Sequence, residues 1–135
     1  MKTDEEIKKD MYHIVMASDI KKAINGEVSY VGRDDGSNSE DCIISILDSL
    51  NGQIQKCEVN VNVYVPDMSS GGRKVENVSR ISTLANICKE TFGDGKRNIF
   101  GNGFMVYLEK QRVLAVSGKD EHVINNKLRY QFNNE

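Results

Sequence analysis

Apolar and polar residues alternate strictly along positions 58–65, which is the clearest pattern in the chain. Side chains of an extended strand point alternately to its two faces, so this pattern predicts a half-buried strand. Pro66, the only proline, is expected to end the strand because it cannot donate to a sheet hydrogen bond. Asn60 and Asn62 should face away from the core. The face predicted to meet the helices consists of Val59, Val61, Val63 and Val65.

A second periodicity, with apolar residues three and four positions apart, predicts a helix near the start of the chain. Thr3 and Glu6 have the spacing of a capping box, so the helix should begin there. Ser18 is a favoured N-cap and indicates a restart as a short second turn. Gly26 is expected to end the helical region as a left-handed C-cap.

The same periodicity predicts another helix, which starts at Arg73 or Asn77 and ends at Phe92. A flexible connection at 68–72 should precede it, because that segment is rich in serine and glycine. The predicted apolar stripe of this helix is Val75, Val78, Ile81, Ala85, Cys88 and Phe92.

The remaining apolar runs are short and rich in β-branched residues, which is typical of strands. Polar turns at 110–111 and 117–119 suit antiparallel hairpins. The element order is therefore α-β-β-β-α-β-β-β. We expect a single α+β domain over residues 1–135, with a mostly antiparallel sheet and two main helices packed on one face. Besides 58–65, the predicted strands are 27–31, 41–47, 104–109, 112–116 and 122–132.

Composition fits a globular protein, with 39% hydrophobic and 28% charged residues. The N-terminus is polar and the sequence has no long apolar run, so we expect neither a membrane span nor a secretory signal. Cys42, Cys57 and Cys88 are widely spaced within apolar patterns. We expect them to be reduced packing residues of a cytosolic protein.

Charge is distributed unevenly along the chain. The net charge of −2 excludes a generally basic nucleic-acid binder. Residues 27–67 carry a net charge of −6, whereas residues 68–135 carry +4. The folded protein is therefore either electrostatically dipolar or has these segments intermixed by folding.

Candidate chemistry is sparse. His13 and His122 lie in no catalytic motif, and we expect His13 to be partly buried in its helix. No hydrolase elbow or zinc motif occurs, so the sequence predicts no catalytic residue, no cofactor and no metal site.

Two polar loops remain as candidates for contacts with a partner. The segment 33–41 is dense in oxygen ligands but lacks EF-hand spacing, so its plain interpretation is a solvated acidic loop. The segment 93–103 places Lys96 and Arg97 beside an apolar pair. It could contact a partner or a nucleic-acid backbone, or simply connect a helix to a hairpin.

Several stretches resemble the tail-terminator, or tail-completion, proteins of long-tailed bacteriophages. The resemblance covers about residues 3–92, and its most distinctive stretch is the Val-Asn-Val-Asn-Val-Tyr-Val-Pro-Asp run at 59–67. The other stretches are Ile20-Lys21-Lys22-Ala23-Ile24-Asn25-Gly26, a strand with Val28 and Tyr30, Ser39-Glu40-Asp41-Cys42-Ile43-Ile44, and a helix beginning near Glu76.

This resemblance implies a non-enzymatic virion protein, assembled in the host cytoplasm as a homo-oligomeric and typically hexameric ring. Such a ring caps the head-proximal end of the tail tube and joins it to the head connector. The tail-tube and head-connector proteins would be its partners, with DNA only as passing cargo.

A head-to-tail ring needs two different complementary patches on each subunit. We therefore expect Asp34, Asp35, Glu40 and Asp41 to lie at a subunit interface or to line the channel, with Lys96 and Arg97 as further interface candidates. A small cytosolic binding module stays open as an alternative. So does an enzyme with a site assembled from scattered residues such as His13, Asp41 and Cys57.

Overall fold

A computed structural model describes residues 2–50, 54–93, 99–100 and 103–133. In this part of the chain the helices are α1 (Asp4–Met16), α2 (Asp19–Ala23) and α3 (Val78–Phe92). The strands are β1 (Val28–Ser29), β2 (Cys42–Leu50), β3 (Ile54–Pro66), β4 (Met68–Ser70), β5 (Arg73–Val75), β6 (Ile99–Phe100), β7 (Phe104–Ala115) and β8 (Glu121–Asn133).

The main sheet is built around one long antiparallel pair. β3 and β8 are paired over their full length, from Ile54 opposite Asn133 to Pro66 opposite Glu121. β2 and β7 flank this pair, and the described strand order is β1-β2-β3-β8-β7-β6. β1 runs parallel to β2, whereas the other neighbours are antiparallel. The predicted α+β domain with a mostly antiparallel sheet is confirmed.

Three parts of the predicted element order are wrong. The segment 93–103, predicted to be a loop, contains β6, which pairs with β7. The connection at 68–72 is part of a separate hairpin of β4 and β5, which turns at Gly71 and Gly72. Both glycines have positive φ, which the turn requires and which glycine adopts without steric cost. The predicted strands at 104–109 and 112–116 form one continuous strand, β7.

A bulge explains why β7 does not turn at 110–111. The register against β8 shifts between Leu108 and Lys110, which absorbs one extra residue. Gln111 then donates to the Ala85 carbonyl at 3.0 Å and to the Asn126 side chain at 2.8 Å. Asn126 is fully buried, so this polar pairing fixes the strand where the sequence suggested a turn.

Local capping signals in the sequence hold in the structure. The Thr3 hydroxyl accepts the Glu6 N–H, and the Glu6 carboxylate accepts the Thr3 N–H, as in a capping box. Ser18 caps α2, and Asn77 caps α3.

Arg73 and Val75 lie in β5, so the alternative helix start at Arg73 and the place of Val75 in the predicted stripe are wrong. Val78 is 63% exposed, so its place in the stripe is wrong as well. The buried stripe of α3 is Ile81, Leu84, Cys88 and Phe92.

The helices α1 and α3 cover one face of the sheet, as predicted. The valines of β3 point into this core and are at most 1% exposed. The three cysteines are buried there and form no disulfide, which confirms their packing role. Burial raises the pKa of the Cys88 thiol to about 12. In the described part of the chain, no helix is long and apolar enough to cross a membrane.

The opposite face of the sheet, here named the open face, is polar at its centre. The Asn125 side chain donates to the side-chain oxygens of Asn60 at 3.1 Å and Asn62 at 2.7 Å. Beside this network, Lys127 pairs with Glu58 at 2.8 Å. The polar side of the alternating strand therefore bonds across to β8.

Replacing Val61 tests the assigned faces of β3. Val61→Ala should lower the free energy of unfolding by about 2 kcal/mol, because it removes buried apolar volume. Asn60→Asp, on the adjacent position of the open face, keeps the acceptor oxygen and should cost less than about 0.5 kcal/mol. Urea unfolding followed by circular dichroism measures both. Equal losses in the two variants would show that the strand faces are assigned wrongly.

Candidate functional site

Two neighbouring acidic residues close the loop between α2 and β2. Glu40 accepts the Asn25 N–H at 3.2 Å, and Asp41 accepts the Glu27 N–H at 3.0 Å. Each carboxylate also binds an arginine: Asp41 binds Arg33 of the same loop, and Glu40 binds Arg80 of α3. We name the set Arg33, Glu40, Asp41, Arg80 and Glu121 the carboxylate clasp.

Arg33 is the most engaged member of the clasp. Its Nε donates to Asp41 at 2.7 Å, and its two terminal nitrogens donate to Glu121 at 2.7 and 3.0 Å. One of these nitrogens also reaches the carbonyls of Ser37 and Ser39, at 3.3 and 3.0 Å. The guanidinium lies 4.2 Å from the centroid of the Tyr64 ring. Arg33 thus joins the loop to β3 and β8.

Arg80 makes the matching contact from α3. Its Nε and Nη2 donate to the two carboxylate oxygens of Glu40, at 2.7 and 2.8 Å. The same Nη2 also donates to the Ala23 carbonyl, at the end of α2. Since bidentate arginine–carboxylate pairs are directional, this contact fixes α3 relative to the loop.

Gly26 allows the close approach that the clasp needs. A β-carbon at this position would overlap the Asp41 carboxylate and the Glu40 carbonyl. Its φ is not positive, and α2 ends at Ala23 with Ile24 as the extended C-cap. The predicted left-handed cap is therefore wrong, and glycine is required here for space.

The clasp contains three carboxylates and two guanidiniums, and Lys119, whose Nζ lies 3.5 Å from Glu121, supplies the third positive charge. Burial raises the pKa of Asp41, but hydrogen bonds from Ser37, Arg33 and the Glu27 N–H outweigh it and bring the pKa below the ordinary value. Glu121 is 3% exposed and Asp41 6% exposed, so their partner Arg33 balances charge that water does not reach. This arrangement stabilises the fold and offers no unpaired acid or base.

The interpretation of 33–41 as a solvated acidic loop is wrong for Glu40 and Asp41. Both are buried and bound to arginines of their own chain, so neither carboxylate is presented to a neighbouring subunit. Asp34 and Asp35 are exposed. Lys96 and Arg97 lie outside the described residues.

The two histidines lie in different surroundings. His13 is exposed, because it lies off the buried stripe of α1, so the predicted partial burial is wrong. His122 places Nδ1 2.7 Å from Asp67 and Nε2 3.2 Å from Glu76. These two carboxylates flank the β4–β5 hairpin, so the ring ties both ends of the hairpin to β8. No sequence motif signalled this contact.

The residues named for a scattered enzyme site lie in different surroundings. His13 is exposed on α1, Asp41 belongs to the clasp, and Cys57 is buried in the core. Among the described residues, no group of three histidine, cysteine, aspartate or glutamate side chains is arranged to hold a metal ion.

One border of the sheet is the outer side of β2. β1 pairs with only Cys42 and Ile43, and no described strand pairs with this side of 44–50, here named the β2 edge. A groove of about 300 Å³ lies beside it, lined in part by Asp4 and Val31. Val31 is 85% exposed. The β2 edge therefore combines open backbone with an apolar side chain.

The other border is the outer side of β7. β6 pairs with Met105 and Val106, and the Leu108 N–H donates to the Gly93 carbonyl at 3.2 Å. Within the described chain, no strand pairs with this side of 109–115, here named the β7 edge. Leu114 is 42% exposed on it. Such edges carry backbone groups ready to pair with another strand.

The surroundings of the two edges differ in charge. Lys110 and Arg112 are exposed on the β7 edge, where the acidic Glu109 is paired with Arg129 at 3.3 Å. Asp4 and Lys8 both line the groove at the β2 edge, and Lys8 is paired with Glu5 at 2.9 Å, which leaves Asp4 as the acidic side chain there. The loop carrying the exposed Asp34 and Asp35 follows directly after Gly32, which also lines the groove.

The sequence matches no family model and no curated protein.

Replacing Arg33 tests whether the clasp holds the fold together. Arg33→Met keeps most of the side-chain volume but leaves the buried Asp41 without its ion-pair partner and Glu121 with Lys119 alone. The free energy of unfolding should therefore fall by about 3–5 kcal/mol. Adding Glu121→Gln to this variant should recover part of the loss, because one uncompensated charge is removed. Arg73→Met, at an exposed arginine of the separate β4–β5 hairpin, is the matched control. If chemical unfolding gives Arg33→Met and Arg73→Met the same stability, the clasp is dispensable.

Proposed function

We propose that this chain is a non-enzymatic structural subunit that assembles head to tail into a homo-oligomeric ring, and that the ring is a phage tail terminator. The observation that carries the proposal is the pair of different open edges on one sheet. A second copy is the partner that both edges fit, because the β7 edge of one subunit can pair with the β2 edge of the next.

The chemistry of the two edges supports pairing between unlike edges. Leu114 on one edge and Val31 at the other are exposed apolar side chains, which pairing would remove from water. Lys110 and Arg112 would approach the side that carries Asp4, so the charges are complementary. Pairing between two β7 edges would instead place like charges together.

The proposal that the ring is a tail terminator rests on the sequence resemblance over residues 3–92 together with the two unlike edges. Its most distinctive stretch, 59–67, forms most of β3 and supplies the asparagines of the open face. The ring would cap a tail tube and contact the head connector, with DNA passing through its channel. Asp34 and Asp35 are the acidic residues left exposed to meet a neighbour or line that channel.

Blocking one edge at a time tests the head-to-tail contact. Leu114→Glu places a negative charge on the β7 edge, where it would face the acidic side of the next subunit. Val31→Lys places a positive charge beside the β2 edge, where it would face Lys110 and Arg112. Each variant alone should remain monomeric, since its one intact edge finds no intact partner edge. Mixed together, they should form a dimer of one chain of each type and nothing larger. Sedimentation velocity and native mass spectrometry measure these masses.

Met68→Lys is the matched control, because Met68 is an exposed apolar residue on the separate β4–β5 hairpin. This variant should assemble like the wild type and keep its melting temperature. The two edge variants should give the circular dichroism spectrum of a folded chain but melt at a lower temperature, because they lack the stabilisation that assembly provides. Full assembly by either edge variant would contradict the proposed contact. A monomeric wild type would instead favour a binding module or an enzyme.

A further inference from the structure

A lysine side chain near the N-terminus lies among three aromatic rings. The Lys2 ammonium nitrogen is 4.7 Å from the centroid of Phe104, 4.8 Å from that of Phe132 and 5.6 Å from that of Tyr130. With Asp10, these rings form what we name the aromatic cage. The faces of Phe104 and Phe132 attract the cation, and such rings are typical of sites for alkylammonium groups. Tyr130 meets the ammonium with its hydroxyl edge, because the 5.6 Å centroid distance and the 2.8 Å hydrogen bond place the nitrogen nearly in line with the C–O bond.

Polar contacts complete the cage. The Lys2 ammonium donates to Asp10 at 2.7 Å and to the Tyr130 hydroxyl at 2.8 Å. The Tyr130 hydroxyl in turn donates to Asp10 at 2.7 Å. Burial, together with hydrogen bonding to Asp10, raises the pKa of Tyr130, so the hydroxyl stays neutral. The cage therefore offers two oxygen atoms that accept hydrogen bonds from an ammonium N–H. A quaternary ammonium has no N–H and cannot make these bonds.

The residues of the cage lie in helices and strands, whereas Lys2 does not. Phe104 and Tyr130 stack with centroids 4.9 Å apart on paired strands, and Asp10 lies within α1. Lys2 precedes the Thr3 cap and lies outside every helix and strand. The rings and Asp10 are thus fixed by helix and strand, whereas Lys2 is held by its side-chain contacts and by backbone outside these elements.

We propose that the aromatic cage is a binding site for primary alkylammonium groups, filled at rest by Lys2. When Lys2 is displaced, it binds either a lysine side chain of another protein or a free alkylamine. This proposal does not depend on the ring.

Removing the resident lysine tests the site. In Lys2→Ala, n-butylammonium should bind saturably and raise the melting temperature, because it reproduces the missing side chain. In the wild type it should bind at least about tenfold more weakly, since Lys2 competes. Lys2→Met, which keeps an apolar chain but no charge, supplies a second background. Binding is followed by the amide and aromatic NMR signals, with sodium chloride at equal ionic strength as the control.

Three further binding measurements define which chemical groups of the ligand are recognised. Tetramethylammonium should bind more weakly than n-butylammonium, because it cannot donate to Asp10 or Tyr130. Tyr130→Phe added to Lys2→Ala should weaken n-butylammonium binding for the same reason. Nα-acetyl-lysine-N-methylamide tests the source: binding as tight as that of n-butylammonium points to a protein lysine, and markedly weaker binding points to a free amine.

Two results would overturn the proposal. One is the absence of saturable n-butylammonium binding in both folded Lys2 variants. The other is an equal response of the wild type and the variants, which would mean a general solvent effect and no site at the cage.

Discussion

A guanidinium held out of water between two carboxylates is the constraint on which the rest of this fold depends. Arg33 reaches Asp41 at the start of β2 and Glu121 at the start of β8. Taking three charges out of water is costly, and only close pairing with good geometry repays that cost. The loop, the two strands and the Tyr64 ring beneath must therefore take one arrangement relative to each other.

The same constraint shapes the sheet border that the proposed assembly uses. The Asp41 and Glu40 carboxylates bind the backbone at 25–27, so the chain enters β1 beside the first residues of β2. It then leaves the sheet toward Arg33 after two paired residues. The β2 edge stays open for this reason, and Val31 is left exposed beside it. An internal ion-pair network thus determines an external surface.

Features encoded by short-range patterns could be predicted from the sequence, whereas contacts between residues far apart in the chain could not. The valine alternation and the capping box at Thr3 are local signals, and both hold. The β4–β5 hairpin was signalled by adjacent glycines but has strands of only three residues, too short to show a period. The clasp joins Arg33 to a residue 88 positions away, and the aromatic cage joins Lys2 to one 128 positions away. A lone arginine within an acidic segment was the available hint of the clasp.

The proposed ring requires two unlike edges of one sheet to pair between identical subunits. Native mass spectrometry of the wild-type protein over a range of concentrations tests it most directly. If the subunits close into a ring, there should be one assembly whose mass is a fixed multiple of 15.2 kDa, with no larger species as concentration rises. A monomer at every concentration, or a ladder of masses that lengthens with concentration, would contradict it.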